Sequence, residues 1–111
     1  MADDLRTWWV DDSARTIDNS LPKIIEYGAG DLIEIGKRLA EISHRPNITD
    51  TDATELGIYF YLVGKLARWH QAVVEGRRVS DDTLFDIEFY TKMARRNRDA
   101  GEWPANITPT K

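Results

Sequence analysis

Asp82 and Asp86 stand four residues apart in a stretch that reads as helix, so both project from one face, and Tyr90 continues that face. Two carboxylates one turn apart, if buried together, suit a hard cation such as magnesium, which prefers oxygen ligands and partial hydration. The same spacing also fits a helix N-terminus decorated with aspartates. Glu55 opens the most apolar helix. It serves either as the capping partner of Asp52, three residues before it, or as a third carboxylate facing Asp82 and Asp86 across a helix pair. Lys65 and Arg68 follow on the same helix. A cation there snorkels to solvent or meets an anion, which is an aspartate of the last helix or a substrate phosphate.

Other chemistries are narrowed by residue counts. There is no cysteine, which excludes a disulfide, an iron–sulfur cluster, a thiolate zinc site and a cysteine nucleophile. The two histidines, His44 and His70, cannot make a three-histidine zinc site. His70 reads as a packed or partly exposed residue. His44 follows a helix C-terminus, where the macrodipole favours a cation. Gly28-Ala-Gly30-Asp31 is a turn with only a faint echo of a phosphate loop. Arg95, Arg96 and Arg98 lack interleaved aromatics and read as helix capping, and the net charge of −4 argues against a broad nucleic-acid surface. Trp8 and Trp9 are adjacent, so both cannot point into one core. One of them is expected at an interface with a partner, another subunit or a ligand.

The elements that would position these residues are all helices. Leu5, Trp8, Trp9 and Ile17 trace a stripe on a first helix, about Asp3 to Asn19. Ser20 two residues before Pro22 suggests a short second helix, Leu21 to Tyr27, ended by Gly28. Asp31 can cap a helix from Leu32 to about Ser43, with apolar positions Leu32, Ile35, Leu39 and Ile42. Pro46, Asn47 and Asp50 mark a loop. The next helix is expected to be capped by Asp52 and to close on Gly76 after Glu75. Its first half, Leu56 to Gly64, is apolar on all sides, and Gly57 and Gly64 predict close approach of another helix. Ser80 caps a last helix, Asp81 to Asp99, stopped by Gly101 and Pro104. The expectation is an all-α fold, a compact bundle of four to five helices in one domain spanning 1–111, with 102–111 as a C-terminal tail.

The composition agrees with a folded domain: 111 residues, 41% hydrophobic and 31% charged. The apolar run Leu56–Gly64 is far shorter than the roughly 20 residues that span a membrane. The acidic Met1-Ala-Asp-Asp start has no apolar signal region, so the sequence predicts a soluble, cytoplasmic protein. The acceptor patterns Asn47-Ile-Thr and Asn106-Ile-Thr carry no meaning in that setting.

The run Glu55-Leu-Gly-Ile-Tyr-Phe-Tyr-Leu-Val-Gly-Lys65-Leu-Ala-Arg68, followed by Ser80-Asp-Asp82-Thr-Leu-Phe-Asp86-Ile-Glu-Phe-Tyr90, resembles a phage branch of the MazG-like superfamily. That superfamily comprises all-α nucleoside triphosphate pyrophosphohydrolases. The phage branch carries a "DK-x-x-RL" helix followed by an "EDTLLDLANYA" helix. Pro22-Lys-x-x-Glu26-Tyr27-Gly28 is similar to a "YG" segment found there, and the resemblance spans roughly residues 20–100. It is most like short proteins of actinobacterial phages, which act in the host cytoplasm.

The resemblance implies that magnesium is held by acidic residues of two antiparallel helices and cleaves a triphosphate between its α and β phosphates. By motif position, Asp82, Asp86 and Glu55 match the acidic ligands. Lys65 matches the lysine of the "DK" pair as a phosphate contact, with Arg68 beside it. Gly64 stands where the family has aspartate, and the doubled glutamates of the better-known MazG helix are absent. A degenerate member that binds a host or phage protein is therefore one expectation, and a magnesium-dependent nucleotide pyrophosphohydrolase is the other. The resemblance also implies a homodimer or larger assembly, through the Gly57/Gly64 face or the Trp8/Trp9 patch.

Overall fold

A computed structural model describes residues 2–27 and 30–103, and the regular elements among them are four α-helices. They are α1 (Ala2–Tyr27), α2 (Gly30–Ile42), α3 (Asp50–Val74) and α4 (Asp81–Ala100). The all-α expectation holds. Gly28, Pro104 and the Asn106-Ile-Thr pattern lie outside the described residues.

The two helices expected before residue 28 are one. α1 runs through Leu21 and Pro22 without interruption. A proline removes a single i→i−4 hydrogen bond, and a helix with good neighbours on both sides can continue past it. The apolar stripe of α1 is not buried either. Leu5, Trp8, Trp9 and Ile17 are all exposed, and among the described residues α1 packs against α4. The buried contact is Thr16, whose hydroxyl lies 3.2 Å from both the Asp12 carbonyl and Glu88 Oε1 on α4.

The other three helices form the packed body, with α3 between α2 and α4. The α2–α3 crossing is very close. A Cβ on Gly36 would collide with the Ala53 backbone, and one on Gly57 with the Leu32 backbone. Ala40 and Ala53, both fully buried, complete this small-residue seam. Such a seam lets two helix axes approach more closely than larger side chains allow. Gly57 thus has the helix contact that its position predicts. Gly64 does not: nothing lies within 4 Å of a Cβ built there.

The α3–α4 pair is antiparallel, and its far end is locked by polar contacts. Asn97 is fully buried and its Nδ2 donates to the Thr51 carbonyl at 2.9 Å. The Thr51 hydroxyl donates to the Gly101 carbonyl. Trp103 belongs to the core with Leu32, Ile58 and Met93 and is only 7% exposed, so the folded body extends into the segment expected as a tail.

The helix ends follow local chemistry. Ser80 caps α4 by accepting from the Thr83 amide at 3.2 Å, and Gly101 closes it at φ 84°. α3 ends in a Schellman turn: Gly76, at φ 75°, donates to Val73, and Arg77 donates to Ala72. α2 ends the same way with His44 in the left-handed position, at φ 64°. The start of α3 differs from the sequence expectation. Thr49, not Asp52, is the cap, and accepts from the Asp52 amide at 3.1 Å. Asp52 instead pairs with Arg45 at 3.1 Å.

Candidate functional site

The carboxylates singled out in the sequence are split between the two ends of the α3–α4 pair. A six-residue connection, 75–80, makes these helices antiparallel, so the start of α3 lies beside the end of α4. Glu55 accordingly meets Arg98, which donates from Nε to Oε1 at 2.8 Å and from Nη2 to Oε2 at 2.7 Å. The paired hydrogen bonds from Arg98 hold the Glu55 carboxyl below its ordinary value, more than its slight burial raises it. Asp86 stands twelve residues before Arg98, which is about 18 Å along the helix axis. Glu55 therefore neither partners a capping aspartate nor closes on Asp82 and Asp86.

At the other end, Asp86 Oδ2 meets Lys65 Nζ at 3.0 Å, with side chains 18% and 21% exposed. Of the two anions open to Lys65, the one in contact is an aspartate of the last helix. Asp82 is exposed in the first turn of α4, one turn before Asp86. Among the described residues no group of three or more histidine, aspartate and glutamate side chains is placed to hold a metal ion. Magnesium takes near-octahedral oxygen coordination. An ammonium at 3.0 Å from Asp86 competes for the oxygen such a cation would need, so this arrangement does not fit a resident magnesium.

Around the Lys65–Asp86 pair the structure builds an aromatic wall. Tyr61 and Tyr90 stack with centroids 6.1 Å apart and ring planes 3° from parallel, and Phe60 meets Tyr61 edge-on at 5.8 Å. The Tyr61 hydroxyl donates to Asp31 Oδ2 at 2.8 Å, tying α3 to the start of α2 and pushing the phenol above its ordinary value. Phe60, Tyr61, Gly64, Lys65, Arg68 and Tyr90 border an open groove of about 470 Å³. Arg68 also borders a second groove, of about 550 Å³, with Arg77, Arg78 and the capped start of α4. His70 is exposed on α3.

The second region is on α1. Trp8 and Trp9 are 54% and 64% exposed, and their rings meet edge-to-face at 6.0 Å and 74°. Leu5, Arg6, Trp9 and Val10 line a shallow groove of about 350 Å³. Neither tryptophan is buried, in keeping with the expectation that both cannot point into one core.

Three features of these sites were not read from the sequence: the Glu55–Arg98 fork, the Tyr61–Tyr90 stack and the Tyr61–Asp31 bond. The first had a usable signal. A short connection fixes antiparallel helices, and positions equidistant from it face one another. Comparisons of this chain with protein-family models, with curated proteins and with solved structures found no match.

Proposed function

We propose that this chain acts by binding another protein through α1, as a degenerate helical protein of the MazG-like phage type, and that its partner is a host or phage protein. The observation that carries this reading is the pair Trp8 and Trp9, both more than half exposed on a helix that among the described residues packs against α4. Exposed tryptophans with apolar neighbours are typical of binding hot spots, where a large rigid side chain fills a partner's pocket. The split of the carboxylates supports the non-enzymatic side of the reading, since Glu55 is engaged by Arg98 and Asp86 by Lys65.

A second reading has its own observation. The groove at Lys65 and Arg68 offers two cations and the aromatic rings of Phe60, Tyr61 and Tyr90, a combination that suits a phosphate with a planar base. In that reading the chain is a nucleoside triphosphate pyrophosphohydrolase.

One pair of experiments separates them. Crosslinking mass spectrometry in host lysate, followed by reconstitution with the purified partner, should identify one protein on α1. The Trp8→Ala/Trp9→Ala variant should weaken that binding at least tenfold while keeping the helical circular dichroism. Pyrophosphate release from the nucleoside triphosphates with magnesium should stay at background. Turnover that requires magnesium and disappears in Asp86→Asn would overturn the proposal and establish the second reading.

A further inference from the structure

Two grooves along α3 meet at Arg68. One is walled by Phe60, Tyr61 and Tyr90, and the other by Arg77 and Arg78 beside the start of α4. Their α3 residues Phe60, Gly64, Arg68 and Gln71 follow one another four, four and three positions apart, which is one line on a helix. The grooves therefore form one track. From Phe60 to Gln71 it is about 17 Å long, and Arg77 and Arg78 extend it. Nothing lies within 4 Å of a Cβ built on Gly64, so the middle of the track is open.

The lining combines aromatic rings with cations. Phe60, Tyr61 and Tyr90 stand at one end, and Lys65, Arg68, Arg77 and Arg78 follow. Among the described residues no aspartate or glutamate lines either groove. α3 itself carries no acidic residue from Leu56 to Val74, in a chain that has 19 of them. Lys65 faces Asp86 and Arg77 faces Glu75, so these two supply N–H donors more than net charge. Arg68 and Arg78 make no ion pair among the described residues and supply the net charge. The connection that carries Arg77 and Arg78 is fixed at both ends. The Arg77 amide donates to the Ala72 carbonyl at 2.7 Å, and Ser80 caps α4. Donors held in place lose little freedom on binding.

We propose that this track binds a short stretch of single-stranded nucleic acid, with bases against Phe60 and the Tyr61–Tyr90 pair and phosphates at Arg68, Arg77 and Arg78. Aromatic rings beside a cationic groove are what such a strand requires, because every base has a face to stack and every link a phosphate. Phosphate alone would leave the rings unused. Stacked nucleotides of one strand lie about 3.4 Å apart, so a track of this length spans about five of them. The net charge of −4 opposes a broad nucleic-acid surface but not a narrow track, since salt screens exposed charges beyond about 10 Å. Asp81 and Asp82, exposed after Ser80, line neither groove and hold the expected affinity to the micromolar range. The arginine cluster at the end of α4 has no aromatics within its own sequence. The fold instead brings other cations to the rings of α3 and α4. DNA and RNA strands share this chemistry. The inference uses a surface other than α1, and it goes beyond the second reading because the ligand is a strand and no bond is cut.

Fluorescence anisotropy at low salt, with labelled oligothymidylate and oligouridylate of about eight nucleotides, tests the proposal. Saturable binding at micromolar protein is expected with at least one of them, and the better of the two identifies the sugar. The logarithm of the association constant should fall against that of salt concentration with a slope of about −1.4, the value for two phosphates. Phe60→Ala should weaken binding at least fivefold and leave the slope unchanged. Arg78→Gln should weaken binding and reduce the slope by about 0.7. Both side chains are exposed, so both variants should keep the helical circular dichroism. Arg38→Gln, exposed on α2, and Trp8→Ala/Trp9→Ala should bind the strand as the unmodified chain does. The proposal is overturned if neither strand gives saturable binding, or if Phe60→Ala or Arg78→Gln has no effect. Equal affinity for a duplex also overturns it. So does displacement of the strand by an equimolar nucleoside triphosphate, which would return the groove to the second reading. None of these failures touches the binding of a protein through α1, which is read with the Trp8→Ala/Trp9→Ala variant.

Discussion

The bidentate contact between Arg98 and Glu55 has a consequence that can be measured with pH. The contact lowers the Glu55 carboxyl below its ordinary 4.5, so the folded state holds the carboxylate more firmly than the unfolded chain does. A group lowered in this way adds stability above its unfolded value, and the gain is lost as pH falls through the folded value. Arg98→Gln should therefore lower Tm at pH 7 and by the same amount down to about pH 5. The gap to the unmodified protein should then close as pH falls through the folded-state value, below which Glu55 is protonated in both. Thermal melts at pH 7, 5 and 3 decide it. A gap that stays unchanged to the acid limit of folding would show that Arg98 acts through the packing of its stem and not through charge. Arg98 is well exposed, so the effect should also shrink in high salt.

Two glycines of one helix should respond to alanine in opposite directions. Gly57 lies against the Leu32 backbone, and backbone cannot rotate aside as a side chain can. Gly57→Ala must spread α2 from α3 and is expected to cost about 3 kcal/mol or more. Gly64 faces open space, so Gly64→Ala should gain roughly 0.5–1 kcal/mol from helix propensity alone. Urea denaturation of the two variants reads both signs, and equal destabilisation would mean that Gly64 also contacts a helix. From sequence these two positions looked alike, because spacing reports which side of a helix they share but not what covers it. The same limit explains the rest. Helix ends were legible wherever a local signal sufficed, as at Ser80, Gly76 and Gly101. Thr49 took the cap from Asp52 because a second competent residue stood three positions earlier, and Asp52 had Arg45 to meet. The candidate cluster failed at Glu55 for a non-local reason, the antiparallel return of α4. For Lys65 the sequence leaves solvent, an aspartate of the last helix and a phosphate open, and only the tertiary placement of Asp86 brings the aspartate into contact.

At the scale of the whole molecule, the helices are unequally secured. The radius of gyration is 16.1 Å, and the extents are 49 × 43 × 25 Å. A compact domain of this length would measure about 13 Å. α1 is a helix of 26 residues that reaches α4 and leaves Leu5, Trp8, Trp9 and Val10 bare. A segment such as residues 5–12, whose apolar side chains are bare, must rely on its own hydrogen bonds, and those open locally at low free energy. α3 is held on two sides, with Ala53, Gly57 and Ile58 buried. In native-state hydrogen exchange the amides of residues 5–12 should therefore exchange at least a hundredfold faster than those of 53–58. Adding the partner that α1 binds should slow the first group and leave the second nearly unchanged, because an α1 contact adds nothing to the α2–α3 seam. If α1 in the isolated protein exchanges as slowly as α3, it is already covered in solution. The occupant would then have to be another copy of the chain, and Trp8 and Trp9 would belong to the assembly itself instead of to its partner.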